Sequence, residues 1–433
     1  MLYQRLDVLR RRVLVPPRTM VERNTYFLYA EVIFASVLGA AGSFNAAYIL
    51  RMGGSNALIG LLSSIPSLVA MFSYIPAARI LERQTHLMPW IVRSLLASRA
   101  GYVLILILPL FLHRYVPELT VAILVAMTLP AVLYSTGWSP MLSEVIPPRS
   151  RANVLAWRSI LASAAVAPLI YGAGLWLEHG PLAQHFPANY QWLYAVGFLG
   201  GACSVYLVSR MRMEPKAPPA SAQGARAREG WLATLRSALT DNPGFKRIVV
   251  NTLLLNLGAW LVGPLYIIFF VRKLGATDGW IGLNGTLANI GVIVGYWIWR
   301  RIIHRTGEAK ALLIALPLSG IYPFMVALWP NLSFILFAGF LINVTAPGVN
   351  LSHGVIYLGL LPEGKKHAST AIYSTVMNIG AFISPLIGVA LADRIGIPTM
   401  LLIGGGMQLA GAALFYVFPV LGTGGHLNPV HPC

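Results

Sequence analysis

Twelve long apolar runs determine what this chain can fold into. Each run is about 20 residues long or slightly longer, which is the length of helix that crosses the hydrocarbon core of a bilayer. Charged and turn residues separate the runs, which lie near 25–50, 57–81, 88–112, 119–143, 153–177, 191–209, 247–271, 280–303, 310–329, 333–360, 369–391 and 397–420. Only 11% of the residues are charged, against about 25% in an ordinary soluble domain. The sequence therefore predicts an all-α integral membrane protein with twelve transmembrane helices.

A polar stretch divides the runs into two groups of six. Residues 210–246 are rich in Pro, Ala, Ser, Gly and basic residues, which is the composition of a linker. Four apolar residues between Trp231 and Leu239 recur near helical spacing and predict a short interfacial helix, with a solvated turn as the alternative. The predicted domains are a basic cytoplasmic segment at 1–24, a six-helix bundle at 25–209, the linker at 210–246, a second six-helix bundle at 247–420 and a cytoplasmic tail at 421–433.

The basic residues are distributed asymmetrically about the predicted membrane. If the N-terminus lies inside, 26 of the 32 Lys and Arg residues fall on the inner side, five fall on the outer side, and Arg99 lies deep within a span. Because short basic loops stay cytoplasmic, both termini are predicted to be cytoplasmic. The net charge of +18 is then a topology signal with some affinity for anionic lipid, and no nucleic-acid partner is expected. Short loops favour a bacterial inner (plasma) membrane.

The second half of the chain repeats the first. The segment Arg51–Leu61 (RMGGSNALIGL) reappears as Lys273–Leu283 (KLGATDGWIGL), an offset of 273 − 51 = 222 residues. At the same offset Glu82 and Arg83 fall on His304 and Arg305, each pair at the inner end of the second run of its half. An internal repeat of this length predicts two parallel six-helix halves.

This organisation resembles the major facilitator superfamily over residues 24–420. The superfamily motif G-x-x-x-D-R-x-G-R-K, between the second and third spans, falls on 78–86, where Glu82 and Arg83 keep the acid and one arginine. The resemblance implies two pseudo-twofold-related six-helix bundles that rock about a cavity at the membrane midplane. It assigns Glu82, Arg83, His304 and Arg305 to cytoplasmic gate loops. Ordinary positive charge at helix ends is the alternative for each residue.

Few ionisable side chains lie inside the predicted spans. Glu31 is the only acid well inside one, and it is the candidate for proton coupling, because a charged group near the bilayer centre costs about 2.5–3.5 kcal/mol on insertion scales. Arg99 is its predicted intramembrane charge partner. A purely structural pair and two unrelated contacts are the alternatives. Arg158, near the inner end of the fifth run, is predicted to reach the lipid headgroups.

The resemblance implies that spans 1, 4, 7 and 10 line the cavity, helped by spans 2, 5, 8 and 11. The predicted substrate-cavity residues are amides, aromatic rings and one histidine: Asn45, Tyr48, Tyr134, Trp138, Asn256, Trp260, Asn284, Asn350, His353 and Asn378. Trp138 and His353 correspond in the two halves (353 − 138 = 215) and are predicted to face each other. Any of the ten could instead join helices by hydrogen bonding. Such a lining suits a neutral or weakly charged solute better than a multiply charged anion, and lipophilic cations stay open.

The sequence lacks a P-loop GxxxxGK[ST], an HExxH and a GxSxG motif, so neither an enzyme nor an ATP-driven pump is predicted. No cofactor and no metal site are predicted. The expected function is secondary transport of a small organic solute by alternating access, with the proton as candidate coupling ion. The sequence does not distinguish symport from antiport, or import of a sugar-like solute from efflux of drugs. The rival is a non-transporting assembly factor or receptor of the same fold. We expect a monomer.

Overall fold

The computed structural model describes residues 19–112, 114–213, 242–361 and 366–419. In these ranges twelve helices are long and apolar enough to cross a membrane, and no strand is found. Numbered as spans 1 to 12, they are Met20–Arg51, Asn56–Glu82, Leu87–Phe111, Val116–Val145, Asn153–His179, Ala188–Ser209, Pro243–Lys273, Asp278–Thr306, Glu308–Leu328, Leu332–Gly359, Ser369–Ile395 and Ile397–Val417. Each predicted run falls on one of these helices, which confirms the predicted fold class.

Three predicted features lie outside the described residues. They are most of the basic segment at 1–24, the interfacial helix between Trp231 and Leu239, and the tail at 421–433.

Span 1 begins five residues before its predicted start because a capping box fixes its N-terminus. The Glu22 backbone N–H donates to the Thr19 hydroxyl at 3.2 Å, and the Thr19 backbone N–H donates to the Glu22 carboxylate at 3.3 Å. These two bonds satisfy backbone donors that the first helical turn leaves free. One turn later the Asn24 side chain exchanges two 3.0 Å hydrogen bonds with the backbone of Arg212, just beyond span 6. The sequence predicted the apolar run correctly but not its polar first turn.

Two spans are interrupted and a third ends irregularly. Span 1 consists of helices Met20–Gly42 and Asn45–Arg51, and span 4 of helices Val116–Ala126 and Thr128–Val145. Span 7 closes in a π-helical turn at Phe269–Lys273, an arrangement often found at functional positions.

The chain divides into two compact units. The first comprises Met1–Asn45 and Phe72–Ser221, and the second comprises Ala46–Met71 and Ala222–Cys433. The predicted bundles at 25–209 and 247–420 stay a prediction, since contacts group residues 46–71 with the second unit.

Four helix pairings of the first unit recur in the second. In the first, span 1 packs against spans 5 and 6, and span 3 packs against spans 4 and 6. In the second, span 7 packs against spans 11 and 12, and span 9 packs against spans 10 and 12. Raising every span number by six converts the first set into the second, in agreement with the internal repeat.

The repeat extends to backbone conformation. Gly53 has φ +83° and Gly275 has φ +66°, a region that residues with a Cβ rarely adopt. The two glycines are 275 − 53 = 222 residues apart, and each follows the end of the first helix of its repeat. Glycine at both positions lets the chain turn directly into the next span.

Each unit has its own apolar core, and its outer surface is also apolar. Leu28, Ile91 and Met141 are completely buried in the first unit, and Phe245 and Leu316 are completely buried in the second. Large apolar side chains that point outward include Phe72, Leu110, Leu199, Trp297 and Leu358, each more than 60% exposed. Such a surface suits contact with lipid rather than water.

Candidate functional site

Glu31 lies at the centre of an ionic cluster in the first unit. Its side chain is 1% exposed, and its Oε2 lies 3.0 Å from Nη2 of Arg158 on span 5. Its Oε1 lies 3.8 Å from Nη2 of Arg99 on span 3 and accepts a 2.8 Å hydrogen bond from the hydroxyl of Ser204 on span 6. These four side chains are named the Glu31 cluster. One carboxylate thus meets two guanidinium groups, and the prediction that Arg158 reaches the headgroups is wrong.

Arg99 is enclosed by the helices that surround it. Its side chain is 9% exposed, and its Nη1 donates a hydrogen bond to the backbone carbonyl of Gly201 on span 6. The missing side chain of Gly201 makes room for the methylene groups of Arg99, because a Cβ there would lie 3.2 Å from Arg99 Cδ. Arg99 therefore joins spans 1, 3 and 6.

Arg158 is more open and lies beside aromatic rings. Its side chain is 24% exposed, and its guanidinium carbon lies 5.0 Å from the centre of the Trp138 ring on span 4. The Trp138 ring lies 5.1 Å from that of Tyr134, one turn earlier on the same helix. The Nε of Arg158 is buried and has no hydrogen-bond partner among the described residues.

The second unit contains a cavity of about 290 Å³ among spans 7, 9, 10 and 12, with apolar and polar side chains in its lining. Its polar lining consists of Asn256, Tyr266, Ser319, Tyr322, Asn350 and Gln408. The rings of Tyr266 and Tyr322 are 5.0 Å apart on one wall. The cavity is large enough to hold several water molecules or a small solute.

His353 lies in a separate polar and aromatic cluster of the second unit. Its Nε2 is 2.8 Å from the hydroxyl of Thr252 on span 7. Its ring is nearly parallel to that of Tyr357, with an interplanar angle of 5° and 6.3 Å between centres. Tyr373 on span 11 lies 6.3 Å from His353 and 4.5 Å from Tyr357. Thr252 and the two tyrosines were not among the predicted residues.

Several predicted cavity residues make packing contacts. Asn45 donates a 3.2 Å hydrogen bond to the Tyr102 hydroxyl on span 3, and Tyr48 is 1% exposed. Asn378 donates a 2.8 Å bond to the Ser374 carbonyl of its own helix.

Two further predicted residues lie against glycines of neighbouring helices. A Cβ at Gly339 would lie 3.0 Å from the Asn284 side chain, and one at Gly380 would lie 2.8 Å from the Trp260 ring. In both contacts the absence of a glycine side chain lets the neighbouring side chain approach closely.

Polar side chains at the ends of five spans are linked within the second unit. Arg51 Nε lies 3.0 Å from an Asp278 carboxylate oxygen, and Arg51 Nη2 donates a 3.1 Å bond to the Ala276 carbonyl. Asn56 accepts a 2.7 Å bond from Arg272 and donates a 2.7 Å bond to the Asp393 carboxylate. These residues, named the outer clasp, come from the side predicted to be extracellular.

Solved structures show that the fold is known. An auto-inhibited POT family peptide transporter superposes with a TM-score of 0.69 at 10% identity, covering 95% of this chain and 99% of the other. The nucleoside transporter NupG gives 0.64 at 13% identity, covering 91% and 99%. The human organic anion transporter MFSD10 (TETRAN) gives 0.58 at 14% identity, covering 92% and 100%. At these identities the likeness shows a shared fold.

No curated protein matches the chain in sequence. The family model described as Major Facilitator Superfamily matches residues 248–429, which contain most of span 7 and all of spans 8 to 12. This match assigns residues 248–429 to the major facilitator superfamily. The structural superpositions include the first half as well, since they cover more than nine-tenths of the chain.

The predicted cytoplasmic gate residues lie at exposed helix ends. Glu82 and Arg83 lie at the end of span 2, and His304 and Arg305 lie at the end of span 8. The three ion pairs found among the described residues include none of the four. Their role as gates stays a prediction, as does the opposition of Trp138 and His353.

The second-unit cavity shows what sequence reasoning found and missed. Asn256 and Asn350 were predicted and line it, whereas Tyr322 and Gln408 line it from spans 9 and 12, which the superfamily resemblance placed outside the lining. A polar residue in an otherwise apolar run was the available signal for Gln408, which is 6% exposed.

Proposed function

We propose that the protein is a secondary transporter that moves a small organic solute across the membrane by alternating access. The match of residues 248–429 to the Major Facilitator Superfamily model, together with the twelve spans and the repeated helix pairings, supports transport over catalysis. The observation that carries the proposal is the Glu31 cluster. Ionisable groups inside membrane-spanning helices are costly, so they mark substrate or ion pathways more often than they serve the fold alone.

In this proposal, each unit by itself offers groups that can bind a solute. Arg158, Trp138 and Tyr134 contribute a charged and aromatic surface in the first unit. Asn256 and Asn350 contribute amides in the second, where a cavity already exists. Amides and ring edges orient a solute by hydrogen bonding, while the apolar parts of the rings exclude water.

Glu31 is the proposed proton-coupling group. It is a buried carboxylate that contacts spans 3, 5 and 6 through its partners, so a change in its charge would act on three helices at once. Such a contact network can bias a two-state packing of helices.

The proposal also covers the membrane topology and the cellular location of the protein. Basic residues in the inner loops support cytoplasmic termini, and short loops support a bacterial inner (plasma) membrane. The protein is proposed to act as a monomer.

Thermal unfolding of the purified protein in detergent is the first test. The panel contains nucleosides, dipeptides, sugars, organic acids and lipophilic cations, since the structural neighbours are named as nucleoside, peptide and organic anion transporters. A ligand at 100 times its Kd adds about 2.7 kcal/mol to the folded state and raises Tm. We expect one chemical class to give a dose-dependent shift.

Counterflow in proteoliposomes then tests transport itself. Vesicles loaded with the unlabelled ligand should take up labelled ligand faster than protein-free vesicles. A well-folded protein with no ligand in the panel and no counterflow would contradict the proposal and favour an assembly factor or receptor of the same fold.

A further inference from the structure

We propose that the Glu31 cluster binds a single carboxylate group of the solute, with Arg158 as the direct contact. This inference rests on the proposed function, because it names the chemical class of the transported solute. The sequence predicted a neutral or weakly charged solute, and the pairing of two arginines with one carboxylate favours a singly charged anion within that range.

The first argument is charge balance. Arg99 and Arg158 both pair with Glu31, and neither has another carboxylate partner among the described residues. The two arginines carry two positive charges and Glu31 carries one negative charge, so the cluster has a net charge of +1. The other buried side chains of these helices are mainly apolar. An uncompensated charge in a medium of low dielectric constant is costly, and a singly charged anion would balance it.

The second argument identifies the available guanidinium. Arg99 is enclosed and bonded to the Gly201 carbonyl, whereas the Arg158 side chain is 24% exposed. Arg158 uses Nη2 for Glu31, while its Nε is buried without a partner. A guanidinium presents a planar fork of donors that fits the two oxygens of a carboxylate, and the partly exposed side chain of Arg158 makes it the accessible guanidinium of the two.

The third argument concerns orientation. The indole of Trp138 lies under the Arg158 guanidinium, an arrangement that holds the planar fork in one direction. Trp138 is therefore a positioning residue for Arg158. The adjacent Tyr134 ring provides an apolar surface for the part of the solute next to its carboxylate. The inferred class is a small organic monocarboxylate with an apolar or aromatic body.

Matched pairs of probes test the charge requirement directly. The purified protein in non-ionic detergent is titrated with benzoate and benzamide, and with phenylacetate and phenylacetamide, by thermal unfolding and calorimetry. We expect both carboxylates to bind at least about ten-fold more tightly than their amides, the effect of one charged hydrogen-bonded contact. Equal affinity for acid and amide would overturn the inference.

Variants locate the binding. Arg158→Gln should weaken benzoate binding about ten-fold or more, and Arg158→Lys, which keeps the charge but loses the Nε donor, should weaken it less.

The matched control is Arg210→Gln, because Arg210 also lies over an aromatic ring, 4.8 Å from the Tyr206 centroid, on the exposed surface of the same unit. Arg210→Gln should bind benzoate like the wild type. If Arg158→Gln does not fold, Arg158→Lys and Trp138→Phe decide the matter, and wild-type affinity in both would overturn the inference.

A lipid headgroup is a second source of anionic chemistry. Glycerol phosphate and inorganic phosphate are therefore added as separate probes. Binding of glycerol phosphate as tight as that of benzoate, and lost in Arg158→Gln, would assign the site to a phosphate headgroup and overturn the carboxylate proposal.

Counterflow separates this inference from the proposed function. Transport of a neutral solute that is unaffected by Arg158→Gln would leave transport standing and remove the carboxylate site. Arg158-dependent benzoate binding without counterflow of any probe would keep the site and remove transport.

Discussion

Arg51 at the end of span 1 pairs with Asp278 at the start of span 8, with 3.0 Å between Nε and the carboxylate oxygen. Because of the internal repeat, this contact has a counterpart in which the two halves exchange roles. At an offset of 222 residues, Arg51 corresponds to Lys273 and Asn56 corresponds to Asp278. The second contact joins the same two loops, since Arg272, next to Lys273, donates to Asn56. The basic end of each repeat thus contacts the helix start of the other.

The Arg51–Asp278 pair should contribute measurably to stability. The Asp278 side chain is 9% exposed and that of Arg51 is 30% exposed, so water screens the pair less than a pair on an open surface. We expect a double-mutant cycle of Arg51→Gln and Asp278→Asn to give a coupling free energy of about 1 kcal/mol. Thermal unfolding in detergent measures it. Arg394→Gln, at an exposed position on the same side, is the control and should leave Tm unchanged. A coupling energy of zero would contradict a stabilising role for the pair.

Glu31→Gln should have two separable effects. Removing the carboxylate leaves Arg99 and Arg158 without their shared partner, and loss of one side of a buried ionic contact costs about 3–5 kcal/mol. We therefore expect a lower Tm. If Glu31 couples protons to transport, the variant should also lose gradient-driven accumulation in proteoliposomes while it retains exchange of labelled for unlabelled solute.

Ser204→Ala is the matched control for this variant. It removes only the 2.8 Å hydrogen bond to Glu31 and leaves both arginines paired. Tm should fall less, and accumulation should persist. Accumulation at the wild-type level in Glu31→Gln would refute coupling through this residue.

Sequence reasoning predicted the elements of this fold better than their contacts. The thickness of the bilayer sets the length of a spanning apolar run, so twelve spans could be predicted. Gly53 and Gly275, which correspond in the two halves, were part of the evidence for the repeat. The positions of Glu31 and Arg99 within their apolar runs predicted that both charged side chains lie inside the membrane. The sequence does not show which helices are neighbours. Arg158 was therefore predicted to lie near the headgroups, although its Nη2 lies 3.0 Å from Glu31.

The amides of the second unit should differ in their effect on transport. Asn256 and Asn350 line the 290 Å³ cavity, whereas the amide nitrogen of Asn378 donates to the carbonyl of Ser374 in its own helix. We expect Asn256→Ala and Asn350→Ala to raise the KM for counterflow several-fold, since a lost hydrogen bond to a solute costs about 1 kcal/mol. Asn378→Ala, the same substitution on span 11, should have little effect. Equal effects at all three positions would contradict a role for the cavity in substrate binding.

Close helix packing in the second unit depends on the missing side chain of Gly295. A Cβ at this position of span 8 would lie 3.0 Å from Pro347 Cγ on span 10 and would overlap the Val344 carbonyl, which already accepts a 3.0 Å bond from the Trp299 indole N–H. Small residues at helix contacts allow this approach in membrane proteins. Gly295→Ala should therefore destabilise the protein by about 1–3 kcal/mol, the usual range for overpacking.

Gly406→Ala makes the same substitution where nothing would contact the added methyl. Apart from its chain neighbours and the backbone of its own helix, no heavy atom would lie within 4 Å of a Cβ on Gly406 in span 12. Because alanine favours helix more than glycine does, Tm should stay the same or rise slightly. Thermal unfolding of the two variants under identical detergent conditions separates packing from helix propensity. If both variants shift Tm equally, the contact between spans 8 and 10 does not depend on the absence of a side chain at Gly295.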